Sequence, residues 1–132
     1  MCYHLRRGEL LIQIEFYEDR HGFSEVWNWL EDLRIKGRFV KDARIQYKQV
    51  LYSIQLLADN GTMLPDTIVK HLDEDIWELR PGNNRVLFFF KGKGCGYVLL
   101  HHFRKKTQKT PIREIIKAKA ERDDYLQRNK DW

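Results

Sequence analysis

The chain has 132 residues, of which 42% are hydrophobic and 13% aromatic, and it carries a formal net charge of +5. This length fits one domain over residues 1–132, and the composition excludes a disordered chain and a small fold that depends on disulfides or metal. No apolar run approaches a membrane span, the start lacks a secretory signal and the two cysteines lack disulfide spacing, so we expect a cytoplasmic protein without membrane contact.

One strand and two helices are predicted in the first half of the chain. In "ELLIQIEFYED" apolar and polar residues alternate, which is the period of a half-buried strand. Ser24 stands where a helix N-cap belongs, and apolar residues continue at helical spacing up to Gly37. A second apolar stripe runs from Phe39 to a glycine stop at Gly61. These patterns predict a helical hairpin.

The second half reads as a meander of strands and a final helix. The strand-like segments are "TIVKHL", "IWELR", "RVLFFF" and "YVLLHHF", with turns at "PGNN" and "KGKGCG". Strands joined by such short turns pair antiparallel, and the helical hairpin is expected to cover one sheet face while the other stays partly open. Thr110 as N-cap and Pro111 at the first helical position predict a helix from Ile112 to about Arg128.

Positive charge is concentrated near the end of the last predicted strand. Residues 1–90 hold 12 Lys and Arg against 14 Asp and Glu, whereas residues 91–132 hold 12 against 5. The segment "HHFRKKTQKT" carries four cations and no acid, which favours a polyanionic partner. We expect a basic concavity formed by the following residues: Lys70, Arg80, Arg85, Lys105 and Lys106. The alternative for Arg80 is ordinary pairing with a nearby acid such as Glu78.

Two histidines precede these cations. Strict alternation places His102 on one sheet face with Val98 and Leu100, and His101 on the other face, so the pair is not expected to bind one metal ion. Either histidine is a candidate for proton transfer. No metal-ligand or phosphate-loop motif is present, and no metal or other cofactor is expected.

"KHLDEDIWELRPGNNRVLFFF" followed by "VLLHHFRKKTQKTPIREIIKAKA" resembles the RelE/ParE superfamily of type II toxins, specifically its HigB-like, phage-derived branch. The resemblance covers most of the chain and is strongest from Ile68 to Ala120. It implies an α+β, RelE-like fold: a small antiparallel sheet with an N-terminal helical hairpin on one face and a C-terminal helix, in the order β-α-α-β-β-β-α.

The resemblance also implies an activity and partners. Such toxins are endoribonucleases that cut messenger RNA in the ribosomal A site without metal, and each is inhibited by a cognate helix-turn-helix antitoxin, HigA-like here, in a hetero-oligomer. The chemistry is attack of the RNA 2′-hydroxyl on the adjacent phosphate, which fixed cations assist by stabilising the doubly charged intermediate. The last helix, through Ile112, Ile115, Ile116 and Leu126, is expected either to pack on the sheet or to lie near the antitoxin.

Roles are implied residue by residue. Arg85 matches the arginine that holds the scissile phosphate, and Arg80 matches a second basic position. Lys106, His101 and His102 are the candidates for the base, which the resemblance leaves open. The further RNA-binding positions are Lys70, His101, Arg104, Lys105 and Lys109. Two alternatives remain: a ParE-like poison of DNA gyrase with the same fold, and a non-catalytic nucleic-acid-binding phage protein.

Overall fold

The computed structural model describes residues 2–7, 10–92 and 96–129. Within these residues the chain forms six strands and three helices in an α+β fold. In chain order they are β1 (Cys2–Arg7), β2 (Leu10–Phe16), α1 (Glu25–Lys36), α2 (Lys41–Asn60), β3 (Val69–Asp73), β4 (Ile76–Leu79), β5 (Asn84–Phe90), β6 (Tyr97–Arg104) and α3 (Ile112–Arg128). None of the helices in the described ranges combines the length and apolar character needed to cross a bilayer.

The strands form one sheet in the order β1-β2-β6-β5-β4-β3. Strands β3 to β6 pair antiparallel as predicted, but β2 pairs parallel with β6, from Ile14 opposite Tyr97 to Phe16 opposite Leu99. The predicted α+β fold is confirmed, but the sheet is mixed rather than antiparallel. Short turns fix the direction of sequential strands, whereas β2 and β6 are separated by two helices and three strands, so no turn sets their relative direction.

Strand β1 was not predicted from the sequence. It pairs antiparallel with β2 over its whole length, from Cys2 opposite Glu15 to Arg7 opposite Leu10. In its sequence, CYHLRR, apolar and polar residues alternate only from Tyr3 to Arg6, and pairing with β2 extends the strand over six residues. The predicted turn "KGKGCG" joins β5 to β6, where Lys91 N–H donates to Gly96 O at 3.0 Å, and its residues 93–95 lie outside the described residues.

The helical hairpin covers one face of the sheet, as predicted. The Ser24 hydroxyl accepts a hydrogen bond from Trp27 N–H at 3.2 Å, and α1 ends at Gly37. Both helices pack on a core that includes Phe16, Phe88 and Leu99 from the sheet. Burying this apolar stripe is what holds two helices of modest intrinsic propensity in place.

Helix α3 lies on the opposite face against β4, β5 and β6, while Lys70 of β3 on the same face stays exposed, so this face is covered only in part. Its bounds are those predicted, but only Ala118 and Tyr125 of this helix are fully buried, against a cluster that includes Phe89 and Leu100. Ile112 and Ile116 are 70% and 62% exposed, so the first of the two alternatives for them, packing on the sheet, does not occur. Polar side chains, described below, make most of the contact.

The start of α3 also differs from the prediction. Pro111, not Thr110, occupies the N-cap position, and no side chain caps the helix. The Thr110 hydroxyl instead donates to Glu78 Oε2 at 2.6 Å. A buried carboxylate offers this hydroxyl a charge-assisted hydrogen bond, which is stronger than a neutral cap bond.

A bulge in β6 overturns the predicted faces of this strand. Leu87 of β5 lies opposite His101, but the next residue, Phe88, lies opposite Leu99. Leu100 is therefore the extra residue, and it lies in the α3-side cluster together with Val98. The histidines still point to opposite faces, but His102 lies on the α1 side rather than with Val98 and Leu100, because a bulge shifts the alternation by one residue.

Candidate nucleic-acid interface

A cleft of ≈ 230 Å³ lies between the end of β6, the segment that follows it and the first turn of α3. Phe103 contributes an apolar wall, and among the described residues Glu114 is the one acid that lines the cleft. Six cations of the described part of the chain line it: Arg85, Arg104, Lys105, Lys106, Lys109 and Arg113. Such a surface, concave and almost entirely positive, is suited to an extended anion such as a phosphate chain.

Arg85 is the most buried of these cations, at 8% exposure. Its Nη1 donates to Gly82 O at 2.9 Å and to Asn84 O at 2.8 Å, so the β4–β5 turn fixes the guanidinium. Gly82 has φ 59° and could not become another residue without strain. Burial lowers the pKa of Arg85 below its usual value, although an arginine remains charged at any physiological pH.

Glu78 is the acid that organises the nearby cations. Its side chain is fully buried, with Oε1 3.0 Å from Arg80 Nε and 3.8 Å from Arg85 Nε. Oε2 accepts the hydroxyl of Thr110, which lines the cleft. A buried carboxylate requires compensation by charge and hydrogen bonds, and here the two arginines and the threonine supply it. Glu78 therefore ties β4, the β4–β5 turn and the start of α3 together beneath the cleft.

Arg80 and Lys70 lie on the same sheet face as Glu78 but do not line the cleft. Arg80 forms an ion pair with Glu78, which is the alternative to a place in the concavity that the sequence left open for this residue. Its Nη1 also donates to Asp66 O at 2.9 Å. Lys70 is exposed and stands opposite Glu78 in the β3–β4 ladder. The expected concavity is thus divided: Arg85, Lys105 and Lys106 share the cleft, while Arg80 and Lys70 lie to its side.

His101 is completely buried under α3 rather than in the cleft. Its Nδ1 lies 2.5 Å from Glu121 Oε1, and its Nε2 lies 3.0 Å from Glu114 Oε1. Burial raises the pKa of Glu121 above its usual value, and the contact with His101 opposes this shift. With both ring nitrogens engaged, His101 holds α3 on the sheet and orients Glu114 at the cleft wall.

His102 lies on the α1 side of the sheet, away from the cleft. Its ring stacks on Trp29 with centroids 4.0 Å apart and planes 7° from parallel. Burial lowers the pKa of His102 to about 4, so the ring is neutral at pH 7. Of the three residues predicted as candidates for the base, His101, His102 and Lys106, only Lys106 lines the cleft.

Sequence reasoning missed two contributors to this site. The sequence predicts Glu78 only as a partner of Arg80, although its place two residues after Ile76 puts an acid on a core-facing strand position. Arg113 belongs to the predicted cation cluster but not to the predicted site, because only the folded α3 brings its first turn to the cleft. Among the described residues, no group of three or more His, Cys, Asp or Glu side chains is arranged to hold a metal ion.

A second cavity, of ≈ 360 Å³, lies between α1, α2 and β2. Its walls are mainly apolar, including Phe16, Trp27 and Leu30, and the acid it contains, Glu31, is paired with Arg34 at 2.9 Å. Its size exceeds that of the basic cleft, but it gathers no set of groups able to bind or transform a charged ligand.

The fold and the cleft define a small α+β protein with a basic site suited to a phosphate chain. A family model described as phage-derived protein Gp49-like (DUF891) matches residues 30–123, well over half of the chain. The chain therefore belongs to this Gp49-like family of phage-derived proteins. No curated protein matches the sequence.

Proposed function

We propose that this protein is the toxin of a type II toxin–antitoxin system, of the HigB-like branch of the RelE/ParE superfamily, and that it cleaves messenger RNA on the ribosome. Three findings support the proposal: membership of a phage-derived family, a helix and strand order that agrees with a RelE-like fold, and the cleft. The observation that carries it is the cleft itself, where Arg85 is fixed at the base of a wall of lysines and arginines.

In the proposed reaction, the 2′-oxygen of one nucleotide attacks the adjacent phosphorus while its proton passes to a base. The bond from phosphorus to the 5′-oxygen breaks, and that oxygen takes up a proton. The products are a 2′,3′-cyclic phosphate and a free 5′-hydroxyl. The intermediate carries two negative charges on its phosphoryl oxygens, so preorganised cations stabilise it more than they stabilise the ground state.

The roles follow from position in the cleft. Arg85, held by two backbone carbonyls and near Glu78, grips the scissile phosphate with its remaining donors. Lys106, exposed at the wall, is the proposed proton-transfer residue. Arg104, Lys105 and Lys109 bind the flanking phosphates, which fixes the register of the RNA without reading its bases.

The proposed partner is a helix-turn-helix antitoxin that forms a hetero-oligomer with the toxin. Ile112 and Ile116 lie on the solvent side of α3, 70% and 62% exposed, beside the cleft-lining Arg113. Exposed isoleucines on one helix face are suited to burial by a protein partner. An antitoxin bound there would cover the mouth of the cleft and keep RNA out.

The test is to induce the chain alone in bacteria and to map new 5′ ends across the transcriptome. Lys106→Ala is the informative variant because Lys106 is exposed and its removal leaves the fold intact. Arg20→Ala, an exposed arginine outside the cleft, is the matched control. Arg85→Lys is a second variant, which keeps the charge but loses the fork geometry. We expect new ends confined to translated regions with the wild type and Arg20→Ala, and few or none with the two cleft variants.

Other outcomes would reassign the protein. Intact messages with double-strand breaks in DNA would point to gyrase as the target. Growth inhibition that is equal for the wild type, Lys106→Ala and Arg85→Lys would rule out the cleft as the active site. A chain that neither inhibits growth nor cuts RNA, but binds it, would be a non-catalytic binding protein.

A further inference from the structure

The turn between α1 and α2 presents an aromatic side chain to solvent between cations. Phe39 is 87% exposed, and Val40 beside it is 50% exposed. The hairpin tip, defined here as Arg38, Phe39, Val40 and Lys41, lies in a segment, residues 36–48, with five cations and one acid. Neither Arg38 nor Lys41 forms an ion pair with any residue that the structure describes.

The hairpin tip has an ordered backbone. Phe39 N–H donates to Lys36 O at 3.0 Å and Val40 N–H donates to the same oxygen at 2.8 Å. The Arg44 guanidinium donates to Gly37 O at 2.9 Å, which closes the turn from the α2 side. An added Cβ at Gly37 would lie 3.1 Å from Arg44 Cα of α2, so the two helices meet closely here. The ordered turn therefore holds Phe39 in an exposed position. Leaving this apolar side chain in contact with water costs free energy.

The hairpin tip lies at the same end of the molecule as the basic cleft. Asn84 Nδ2 donates to Gln46 Oε1 of α2 at 3.0 Å, and Arg104 Nη1 of the cleft donates to Asn84 Oδ1 at 3.4 Å. One chain of hydrogen bonds therefore connects the first third of α2 with the cleft. Lys41 precedes Gln46 by five residues, about 7.5 Å along the helix, so the hairpin tip projects past this junction.

We propose that the hairpin tip is a second RNA contact, in which Arg38 and Lys41 bind phosphates and Phe39 stacks on an unpaired base beyond the cleft. This inference rests on the proposed RNA substrate. An aromatic ring between cations is the arrangement by which single-stranded RNA is held without sequence readout, because every base has a face to stack and every nucleotide has a phosphate. Because the hairpin tip lies at the same end of the molecule as the cleft, one RNA strand could contact both, which favours RNA over a protein as the ligand of the hairpin tip.

The test compares RNA binding by purified proteins in a cleavage-deficient Lys106→Ala background. One probe is a short RNA of about 4 nucleotides, long enough for the cleft, and the other is an RNA of about 16 nucleotides that also reaches the hairpin tip. Phe39→Ala should weaken binding of the long RNA by about fivefold or more and leave the short RNA unchanged. Phe39→Trp should keep the affinity, and Met63→Ala, at a position 91% exposed in the loop after α2, should change neither probe.

Each result separates this inference from the proposed function. If Phe39→Ala bound both RNAs as tightly as Met63→Ala does, the hairpin tip would not be an RNA contact, while the cleft would be unaffected. If Phe39→Ala lost affinity for purified ribosomes but not for the long RNA, the hairpin tip would contact a ribosomal surface other than single-stranded RNA and the inference would be overturned. If no variant, nor the wild type, bound either RNA, the proposed RNA substrate itself would fail.

Discussion

At the scale of single residues, Glu78 holds Arg85 in the cleft and Arg80 beside it. Its carboxylate is fully buried and lies between Arg80, Arg85 and the hydroxyl of Thr110. Removing one partner of a buried ion pair leaves the other charge uncompensated, which costs more than the pair contributes. The acid is thus a positioning residue for Arg85 and does not itself line the cleft.

Glu78→Gln should therefore destabilise the protein while preserving side-chain shape. We expect the free energy of unfolding to fall by about 3 kcal/mol, because two largely buried arginines lose their counter-charge. Urea unfolding followed by circular dichroism would measure it. Asp32→Asn is the control, since Asp32 is 55% exposed and its pair with Lys36 should contribute less than about 0.5 kcal/mol. Equal losses for the two variants would contradict a special role for Glu78.

His102 should make stability depend on pH. Its pKa in the folded protein, about 4, lies below the ordinary histidine value of 6.5, chiefly because of burial. Between these values the unfolded chain binds a proton that the folded chain does not, so stability is full above pH 6.5 and falls as the pH drops towards 4. The charged neighbours that also act on it are Glu25, His101, Lys117 and Glu114.

The expected loss on going from pH 7 to pH 5 is about 2 kcal/mol. His102→Phe keeps an aromatic ring against Trp29 but cannot bind a proton. Urea unfolding at both pH values would measure the free energy of unfolding of each protein. The decrease from pH 7 to pH 5 should be about 2 kcal/mol larger in the wild type than in His102→Phe. Identical pH dependence in both proteins would mean that His102 is protonated in the folded state as readily as in the unfolded one.

At the scale of elements, α3 is held to the sheet mostly by polar side chains. Lys119 Nζ lies 2.5 Å from Asp73 Oδ2, Arg122 pairs with Glu74 and Asp75, and the Tyr17 hydroxyl donates to Asp124 at 2.6 Å. These contacts join the helix to the β3–β4 turn and to the segment after β2. A helix held by charges on a partly solvated surface is weakened by salt, whereas α2, which buries an apolar stripe, is not.

Arg122→Ala should loosen α3 selectively. We expect the opening free energy of α3 amides to fall by about 1 kcal/mol, with α2 amides unchanged, as measured by native-state hydrogen exchange. Arg113→Ala on the same helix is the control, because the Arg113 side chain is 75% exposed and its Nε is 3.8 Å from Glu114 Oε2, a long and solvent-exposed contact. Added salt should reproduce the effect of Arg122→Ala in the wild type. Uniform loss of protection in α2 and α3 would show that α3 does not open by itself.

At the scale of the whole molecule, the charge asymmetry along the chain becomes an asymmetry in space. Within the residues that the structure describes, the cleft gathers six cations from β5, from β6 with the segment after it, and from α3, with Glu114 as the one acid in its lining. The acids of the β3–β4 turn are instead occupied by α3. A phosphate chain is therefore attracted to one end of the protein, and its binding should be governed by release of counterions.

RNA affinity should accordingly fall steeply with salt, and the cleft lysines should set the steepness. The logarithm of the binding constant is plotted against the logarithm of the salt concentration, and the slope is negative. We expect its magnitude to be smaller by about 1 for Lys105→Ala or Lys109→Ala. Arg20→Ala should leave the slope unchanged. Fluorescence anisotropy with a labelled single-stranded RNA is sufficient. A slope that is insensitive to both lysines would place the RNA outside the cleft.

Most helices and strands could be predicted from the sequence, because short-range signals set where they begin and end. The Ser24 cap, the Gly37 and Gly61 stops and the "PGNN" turn act through neighbouring backbone atoms, so α1, α2 and the β4–β5 hairpin could be predicted from adjacent residues. The bounds of α3 followed from Pro111 and the helical spacing after it. The cation cluster was equally visible, since seven cations without an acid occur between Lys91 and Arg113.

Only the tertiary structure decided how these parts combine. The parallel pairing of β2 with β6 joins strands that no turn connects, and the β6 bulge moves His102 to the α1 side because one unpaired residue reverses the alternation. Burial of Glu78, the arginines paired with it and the contribution of Arg113 to the cleft each depend on α3 docking on a face that the sequence suggested was partly open. Local pattern fixes the elements through short-range contacts, whereas the cleft is made by residues far apart in the chain.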